Sequence, residues 1–344
     1  MINIQQQEEA RVTAVHRERF ELNYKQETRY GKLKTSVYYS REPEMFPTVG
    51  DFVQVENVEG GDCQIIKTFP RKSFFSRLDP NPGGHREQAI AANFDTVFIM
   101  QSLNQNFNLR RIERYITLTR QSGATPVIVL TKADLVDDPM IWIDEVKEIA
   151  AGVSIHAVSV KTYIGIDDIK KHLRLGETCV FLGSSGVGKS SLLNCLMGED
   201  IMTVKEIRDD DARGRHTTTH RQMLTLPCGA FIIDTPGMRE IGMWERDESL
   251  GDEGISDSLS DVFTDIESLF DKCRFSDCSH QSEPGCAVKA AIENSELDEK
   301  RWEGYQKLKR EALYAHDKRE AIRKKSERNQ HIAVWSRKHK KNRW

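Results

Sequence analysis

The sequence has no long apolar run, and this absence excludes several classes of protein. No stretch of its 344 residues approaches the roughly 18 consecutive apolar side chains that a membrane-spanning helix needs. The first residues, from Met1 to Arg19, are polar and charged and lack the apolar core of a secretory signal. We therefore expect a soluble, cytoplasmic protein with no membrane partner.

The chain also lacks a strong net charge and a regular cysteine framework. Its 50 basic and 53 acidic side chains give a formal net charge of -3, so the overall charge indicates no class of partner. Seven cysteines, an odd number with uneven spacing, argue against a secreted disulfide scaffold. With 344 residues, the chain is long enough for two or three domains.

The first eighty residues have the pattern of a small β-barrel. Apolar positions alternate in Ala10–Val15, Leu33–Val37, Phe52–Val55 and Cys63–Phe69, which predicts short antiparallel strands. A barrel of the oligonucleotide-binding (OB-like) kind over residues 1–80 would fit this pattern. Basic and aromatic residues interleave in Pro70–Arg77, which indicates either an RNA-binding surface or a solvated barrel edge.

After a linker rich in proline and glycine, Pro80–His85, the pattern changes. Apolar runs alternate with amphipathic segments over residues 81–245, which predicts a doubly wound α/β domain with a mostly parallel sheet. The predicted strands are Phe94–Met100, Thr125–Leu130, Ser154–Val158, Thr178–Leu182 and Phe231–Ile233, and the predicted helices lie near 109–122, 139–150 and 167–173. The acidic segment Glu245–Asp271 that follows predicts a mobile connection.

A phosphate-binding loop, G-x-x-x-x-G-K-S, lies between an apolar strand and an amphipathic helix, which is the context that supports this motif. Its glycines allow backbone N–H groups and the helix N-terminus to face a phosphate chain. Lys189 would reach the β- and γ-phosphates, Ser190 would bind Mg²⁺, and Ser191 either contacts the α-phosphate or is an ordinary first-turn residue. The predicted nucleotide contacts are Gly183, Ser184, Ser185, Gly186, Val187, Gly188, Lys189, Ser190 and Ser191.

The motif T-K-x-D, which comprises Thr131, Lys132, Ala133 and Asp134, predicts a guanine base. Asp134 can accept hydrogen bonds from the N1–H and the exocyclic amine of guanine, and adenine lacks this donor pattern. Ser159, after the next strand, is a loose match to the S-A-K element that surrounds the guanine oxygen in GTPases.

Two further segments predict the parts that respond to the γ-phosphate. Asp234 and Gly237 form a D-x-x-G motif, with the carboxylate near Mg²⁺ and the glycine N–H near the γ-phosphate. The polar segment Gly214–His220 predicts the first switch, in which either Thr218 or Thr219 would bind Mg²⁺.

The residue after Gly237 is Met238, where many GTPases have a glutamine that orients the attacking water. We therefore expect weak intrinsic hydrolysis and consider His216 as the catalytic group; the other interpretation of His216 is a loop histidine without a catalytic role.

The order of these motifs is circularly permuted. A conventional GTPase begins with the phosphate loop and ends with the guanine motifs, whereas this chain reaches Thr131–Asp134 and Ser159 before Gly183. The second switch therefore lies next to the C-terminal region, 246–344, which predicts a route by which loss of the γ-phosphate acts on that region.

The C-terminal region begins with a compact set of metal-binding residue types. Cys273, Cys278, His280 and Cys286 supply three sulfurs and one imidazole, a complete tetrahedral set for one structural Zn²⁺. The alternative is unrelated thiols beside a surface histidine. The remaining cysteines, Cys63, Cys179, Cys195 and Cys228, occur singly and are predicted to be packing residues.

A helical pattern follows from Asp298 to Tyr314, and the last two dozen residues are rich in lysine and arginine, with Trp335 and Trp344 among them. Nucleic acid is the natural partner of such a tail, and a merely solvated basic end is the alternative.

Together, the permuted motifs, Gly183–Asn194, Gly214–Thr219, Asp234–Gly237 and Cys273–Cys286 resemble the RsgA family of bacterial small ribosomal subunit biogenesis GTPases. The resemblance implies an OB-like barrel, a permuted GTPase domain and a zinc-binding domain. It also implies GTP, GDP and Mg²⁺ as ligands and hydrolysis stimulated by the 30S subunit and its 16S rRNA late in subunit maturation.

Two functions of different class remain from the sequence. One is a GTP-hydrolysing assembly enzyme, expected as a monomer, and the other is an RNA-binding module that uses GTP only as a ligand. Asp134 argues against a third, an adenine-specific ATPase or kinase.

Overall fold

The computed structural model describes residues 8–16, 19–39, 45–58, 61–78, 87–104, 107–200, 221–234 and 259–314. The chain divides into two compact units, Met1–Pro80 with Arg86–Ile241, and Asn81–His85 with Gly242–Trp344. The predicted domain boundaries at 80/81 and 245/246 lie outside the described residues and stay predictions. Within the described ranges, no helix has the length and apolar character that crossing a membrane requires.

The N-terminal strands form a closed five-stranded barrel. The strands are β1 (Glu8–Val15), β2 (Phe20–Tyr24), β3 (Glu27–Leu33), β4 (Phe52–Glu56) and β5 (Cys63–Thr68). The β1 strand pairs with β2 and β4, and β5 pairs with β3 and β4, so the ring of hydrogen bonds closes. The alternating apolar positions fill the interior, where Val12, Leu22 and Ile65 are fully buried. The predicted OB-like barrel is confirmed.

One predicted strand of the barrel is wrong. Residues Thr35–Tyr38 form a short helix, α1, and not a continuation of β3. The helix buries Tyr38, whose hydroxyl lies 3.0 Å from the hydroxyl of Thr68 on β5. Packing of this tyrosine against the barrel therefore outweighs the local alternation at Leu33–Val37.

The segment Pro70–Arg77 lies outside the five barrel strands; Lys72 in it is exposed, and an RNA-binding role for the segment stays a prediction. Its last residues belong to β6 (Phe74–Leu78), which pairs antiparallel with β7 (Glu87–Ala92) in a separate hairpin. Arg71 is buried and donates two hydrogen bonds, of 2.8 and 2.6 Å, to the carboxylate of Asp51. Phe75 is buried against Phe94, so these residues are used in packing.

A second set of strands forms the α/β part of the same unit. These strands are β8 (Thr96–Ser102), β9 (Thr125–Thr131), β10 (Ser154–Val158), β11 (Thr178–Gly183), β12 (Arg221–Thr225) and β13 (Phe231–Asp234). The connecting helices are α2 (Leu109–Ser122), α3 (Pro139–Ile149), α4 (Ile166–Lys170) and α5 (Lys189–Met197). The strand order is β10-β9-β8-β11-β13-β12, in which only β12 is antiparallel to its neighbour. The predicted doubly wound domain is confirmed.

The barrel and the α/β sheet share hydrogen-bonded strands. β1 pairs antiparallel with β12, so the two sheets form one continuous sheet of eleven strands. Arg11 of β1 reinforces this junction because its Nη2 donates to Thr178 Oγ1 at 2.6 Å and to the Asn93 carbonyl oxygen at 3.1 Å. The junction is therefore held by backbone pairing and by a half-buried arginine.

The second unit is helical where it is described. It contains helical segments at 259–262, Thr264–Glu267, Ala287–Glu293 and 299–314 and a 3₁₀ turn at Phe270–Lys272. Phe263 is fully buried and packs edge-on against Tyr305. The prediction of a mobile connection is therefore wrong for residues 259–271, and the rest of that segment lies outside the described residues. The basic tail, 315–344, also lies outside them.

Candidate nucleotide-binding site and metal centre

Several predicted site residues lie at one edge of the sheet. The strands β8, β9, β10, β11 and β13 are parallel, so their carboxyl ends share this edge. Asp134 follows β9, Ser159 follows β10, Gly183 ends β11 and Asp234 ends β13. In open α/β sheets, ligands bind outside the carboxyl ends of the strands. The topology therefore brings the guanine and phosphate motifs together although the sequence separates them.

The phosphate loop has a backbone that only glycine tolerates at two points. Gly188 has a φ of +102°, in the left-handed region that favours glycine. A Cβ at Gly183 would lie 2.6 Å from the carbonyl oxygen of Met100 on the neighbouring strand. The loop leads directly into the N-terminus of α5, where unpaired backbone N–H groups attract anions.

Lys189 lies against this loop. Its ammonium donates hydrogen bonds to the carbonyl oxygens of Gly183 at 2.7 Å and Ser184 at 2.8 Å. The cation is therefore placed at the loop that the sequence assigns to the phosphate chain, where it can neutralise phosphate charge.

The guanine loop is a turn with an unusual backbone. Lys132 has a φ of 61°, which is uncommon for a residue with a side chain, and a 3₁₀ turn follows at Ala133–Leu135. Asp134 is exposed, and its Oδ1 accepts a hydrogen bond of 2.6 Å from the hydroxyl of Ser159. Ser159 is buried and in turn accepts from the backbone N–H of Thr162 at 3.2 Å. The serine therefore orients the carboxylate, a role that the loose S-A-K match did not reveal.

Thr131 connects the two loops. Its hydroxyl donates a 2.6 Å hydrogen bond to the carbonyl oxygen of Val187 in the phosphate loop, and the side chain is buried. The sequence identified Thr131 as part of the guanine motif but gave no sign of this bond, because the two residues are 56 positions apart. The geometry of the base loop is thus tied to that of the phosphate loop.

Other predicted residues lie outside the part of the chain that the structure describes. These are His216, Thr218, Thr219, Gly237 and Met238. Their roles stay predictions. Asp234 is described at the end of β13, and its side chain is half-buried.

The second unit brings the predicted metal ligands together. The ligand atoms of Cys273, Cys278, His280 and Cys286 all lie within 4.8 Å of one another. His280 Nδ1 is 3.6 Å from the sulfurs of both Cys273 and Cys286. Tetrahedral zinc, with bonds of about 2.3 Å to sulfur and about 2.1 Å to nitrogen, separates such ligands by about 3.6 Å. The donor set and its spacing therefore fit one zinc ion.

A carboxylate organises the loop that carries two of these ligands. Glu283 accepts hydrogen bonds from the backbone N–H groups of Ser279 at 2.8 Å and of Gln281 and Ser282 at 3.0 Å, and also from the Ser279 hydroxyl. Hydrogen bonds from the Ser279 side chain and from the backbone N–H groups of Ser279, Glu283 and Ser282 lower the pKa of Glu283 to about 2. The sequence did not single out Glu283, since a lone glutamate in a loop has no distinguishing pattern.

The single cysteines differ from one another. Cys63 and Cys179 are buried, and burial raises the pKa of the Cys179 thiol to about 12, so it packs as a neutral side chain. Cys195 is half-buried. Cys228 is exposed in the turn before β13, so the prediction that it packs is wrong.

The family model of the RsgA GTPase matches residues 68–244, which include every strand of the α/β sheet and both nucleotide loops. A relative from Listeria innocua, named small ribosomal subunit biogenesis GTPase RsgA 1, is 46% identical over 304 residues. The match covers 88% of this chain and 83% of the relative. The chain belongs to the RsgA GTPase family.

Further RsgA proteins and solved structures agree with this assignment. An RsgA from Methanosarcina acetivorans is 41% identical over 298 residues, covering 86% of this chain and 78% of the relative. The crystal structure of YjeQ from Thermotoga maritima superposes with a TM-score of 0.61 at 28% identity, covering 89% of this chain and 99% of that one. YloQ, a circularly permuted GTPase, has a TM-score of 0.58 at 21% identity, with 92% and 98% covered, and so supports the fold.

Membership of the RsgA family makes this chain a GTPase that uses GTP, GDP and Mg²⁺. The predicted permutation is confirmed by the order of the strands, because the guanine loop after β9 precedes the phosphate loop after β11. The Cys₃His cluster is compatible with zinc.

Proposed function

We propose that this GTPase acts in the biogenesis of the small ribosomal subunit, where it binds the 30S subunit and its 16S rRNA and hydrolyses GTP late in maturation. The observation that carries the nucleotide part of the proposal is the Thr131–Val187 hydrogen bond, which joins the guanine loop to the phosphate loop at one edge of the sheet. The subunit comes from the names of the RsgA relatives, which are small ribosomal subunit biogenesis GTPases. Action on this partner would place the protein in the cytoplasm.

Guanine recognition is assigned to the loop after β9. Asp134 accepts hydrogen bonds from the N1–H and the exocyclic amine of the base, and Lys132 lies along the ring. The Ser159 hydroxyl, 2.6 Å from Asp134 Oδ1, holds the carboxylate in one orientation. The carboxylate offers only acceptors, and adenine has an acceptor where guanine has its N1–H donor. Adenine would therefore leave the Asp134 carboxylate without a hydrogen-bond donor.

Phosphate binding is assigned to the loop Gly183–Ser191. Its backbone N–H groups and the N-terminus of α5 face the phosphate chain, and Lys189 neutralises the β- and γ-phosphates. Ser190 and Asp234 would hold Mg²⁺, together with Thr218 or Thr219. Mg²⁺ held by these residues would neutralise negative charge that develops during phosphoryl transfer.

The catalytic group is proposed to be His216, because Met238 cannot orient water. The proposal rests on the sequence alone. Replacing His216 by alanine should abolish subunit-stimulated turnover and leave GDP affinity unchanged. Stimulated turnover that equals that of the wild type would remove His216 from the mechanism.

The Cys₃His cluster is proposed to hold one structural zinc ion. Four protein ligands leave no open position for water, so the ion would stabilise the fold and take no part in hydrolysis. We further propose that the protein acts as a monomer.

The test is the rate of GTP hydrolysis with and without purified small subunits. We expect slow turnover alone and a large increase with small subunits, but not with large subunits. The control is Lys189→Ala, which should lose turnover under both conditions. Hydrolysis that does not respond to small subunits would contradict the proposed partner, and no hydrolysis under either condition would contradict the enzymatic role.

A further inference from the structure

Helix α3 is more apolar than its packing explains. Val146 is the only fully buried side chain of this eleven-residue helix. Of the four consecutive apolar residues Met140–Ile143, the last two are half-buried, with Trp142 packed against Phe107, and the first two are exposed. By contrast, α2 buries nine of its fourteen side chains. Met140 is 52% exposed and Ile141 is 66% exposed, and Leu135 in the preceding turn is 59% exposed. Single exposed apolar residues are ordinary, but three of them within a turn and the start of the next helix indicate a contact surface.

Acidic side chains border these apolar residues. Five carboxylates and a single lysine lie between residues 137 and 148. Glu145 and Glu148 follow Ile141 at positions i+4 and i+7, so they continue the same stripe of the helix, and both are exposed. Lys147 is already paired with Asp144 at 2.8 Å. We call the surface formed by Leu135, Met140, Ile141, Glu145 and Glu148 the α3 face.

The negative charge of the α3 face discriminates between three possible binding partners: RNA, a second copy of this chain and a basic protein segment. RNA would bring phosphates towards carboxylates, which is repulsive. A second copy packed through the same patch would oppose carboxylates to carboxylates. A protein segment with basic and apolar side chains could pair with the carboxylates of the α3 face and also cover its apolar residues. Protein components of a particle rich in RNA carry such basic segments because they neutralise phosphate.

We propose that the α3 face binds a basic, apolar segment of a protein of the small ribosomal subunit. The proposal rests on the proposed function, since it takes the subunit as the partner. Leu135 belongs to the same 3₁₀ turn as Asp134, so this segment would contact the turn that reads guanine.

The first test is the affinity for purified small subunits, measured by co-sedimentation with a non-hydrolysable GTP analogue. The double variant Glu145→Lys, Glu148→Lys should bind about tenfold more weakly than the wild type, because it repels a basic partner. The matched control is Asp167→Lys, Asp168→Lys on α4, which changes the net charge equally. Both variants should keep the wild-type affinity for GDP.

The second test replaces Ile141 by a photo-crosslinking benzoylphenylalanine in the same binding reaction. Crosslinks to a subunit protein would support the proposal. Tighter binding of the Glu145→Lys, Glu148→Lys variant, or crosslinks to rRNA or to a second copy of this chain, would overturn it, as would equal weakening by the α4 control. Wild-type protein that does not co-sediment at all would contradict the proposed function itself.

Discussion

The nucleotide site and the Cys₃His cluster each bring several functional groups together, but different interactions hold them in place. The nucleotide loops follow strands of a large sheet, and every residue of β8 and of β11 is buried. Between residues 270 and 286, which carry the metal ligands, only Cys286 is buried. Burial of apolar surface therefore orders the first site, whereas the second site buries little surface, so we expect the proposed zinc ion to contribute much of its stability.

Loss of a metal ligand should give the largest effect and should separate the two regions. We expect Cys278→Ala to abolish zinc binding and to expose residues 259–314 to protease, because structural zinc contributes an apparent binding free energy of about 10 kcal/mol or more. The affinity for fluorescent GDP should stay within about twofold of the wild type, since the described nucleotide loops follow strands of the first unit and the cluster lies in the second.

Metal content, protease sensitivity and GDP affinity measure these three outcomes. The control is Cys228→Ala, because Cys228 is an exposed cysteine outside the cluster. Full zinc occupancy in the Cys278 variant, or a parallel loss of GDP affinity, would contradict the expectation that different interactions order the metal cluster and the nucleotide site.

The second-largest effect is expected from a buried ion pair in the first unit, and it concerns the free energy of unfolding. Asp51 is fully buried and accepts two hydrogen bonds from Arg71, whose side chain is 8% exposed. Asp51→Ala would leave the charge of Arg71 buried and without its carboxylate partner. We therefore expect the free energy of unfolding to fall by about 3 to 5 kcal/mol. Urea denaturation measures the loss.

The matched control for that variant is Asp62→Ala. Asp62 pairs with Arg19 and Lys32 at the surface, where solvent screens the charges. Equal loss of the free energy of unfolding in the two variants would contradict the expectation that the buried ion pair of Asp51 stabilises this unit more than the surface ion pairs of Asp62.

Guanine recognition should be altered without loss of the fold. Asp134→Asn loses the acceptor for one of the two guanine donors, so GTP affinity should fall by about a hundredfold or more. Its amide can donate to the carbonyl that replaces the exocyclic amine in xanthine, so affinity for XTP should rise. Competition of GTP, XTP and ATP against fluorescent GDP measures the change.

The control for base recognition is Asp137→Asn, an exposed carboxylate three residues further on. It should keep the wild-type preference for GTP. Unchanged GTP affinity in Asp134→Asn would exclude this carboxylate from base recognition.

The smallest expected effect is a pH dependence in the first unit. The Nε2 atoms of His156 on β10 and His172 after α4 are 2.9 Å apart, so at least one ring must be neutral to accept the hydrogen bond. Burial lowers the pKa of both histidines; the neighbouring Lys171 and Arg174 contribute, and Asp168 opposes them. The folded state thus binds fewer protons than the unfolded state, and this contribution to stability is present above the unfolded pKa and is lost as the pH falls below it.

We expect the melting temperature of the first unit to be lower at pH 5.5 than at pH 7.5. Release of bound fluorescent GDP on heating measures the melting of this unit. His172→Gln should reduce this fall, because the variant lacks one of the two groups that take up a proton. A pH dependence identical to that of the wild type would remove the histidine pair from the explanation.

Local patterns in the sequence were enough to predict many parts of the fold. Helix α2 has a clear helical period, and β8 and β9 are continuous apolar runs, so each is specified by nearby residues. The phosphate loop, the guanine loop and the metal cluster were also predicted, because their residue types have fixed spacings.

The parts that the sequence did not reveal depend on distant residues. The hairpin of β6 and β7 was missed because β7 is rich in alanine, a weak strand former, and because the segment between the strands has the composition of a linker. The pairing of β1 with β12 and the bond from Thr131 to Val187 join residues far apart in the chain, so no local pattern indicates them. Tyr38 likewise turned a predicted strand into a helix through its burial against β5.

Amide hydrogen exchange on the whole chain, before and after treatment with a zinc chelator, would show whether the metal orders only the cluster or also the nucleotide loops. We expect residues 270–286 to lose protection when the metal is removed, while the loops at 131–135 and 183–191 keep theirs. Loss of protection in the nucleotide loops, or full protection of 270–286 without metal, would contradict the claim that apolar burial orders one site and the metal the other.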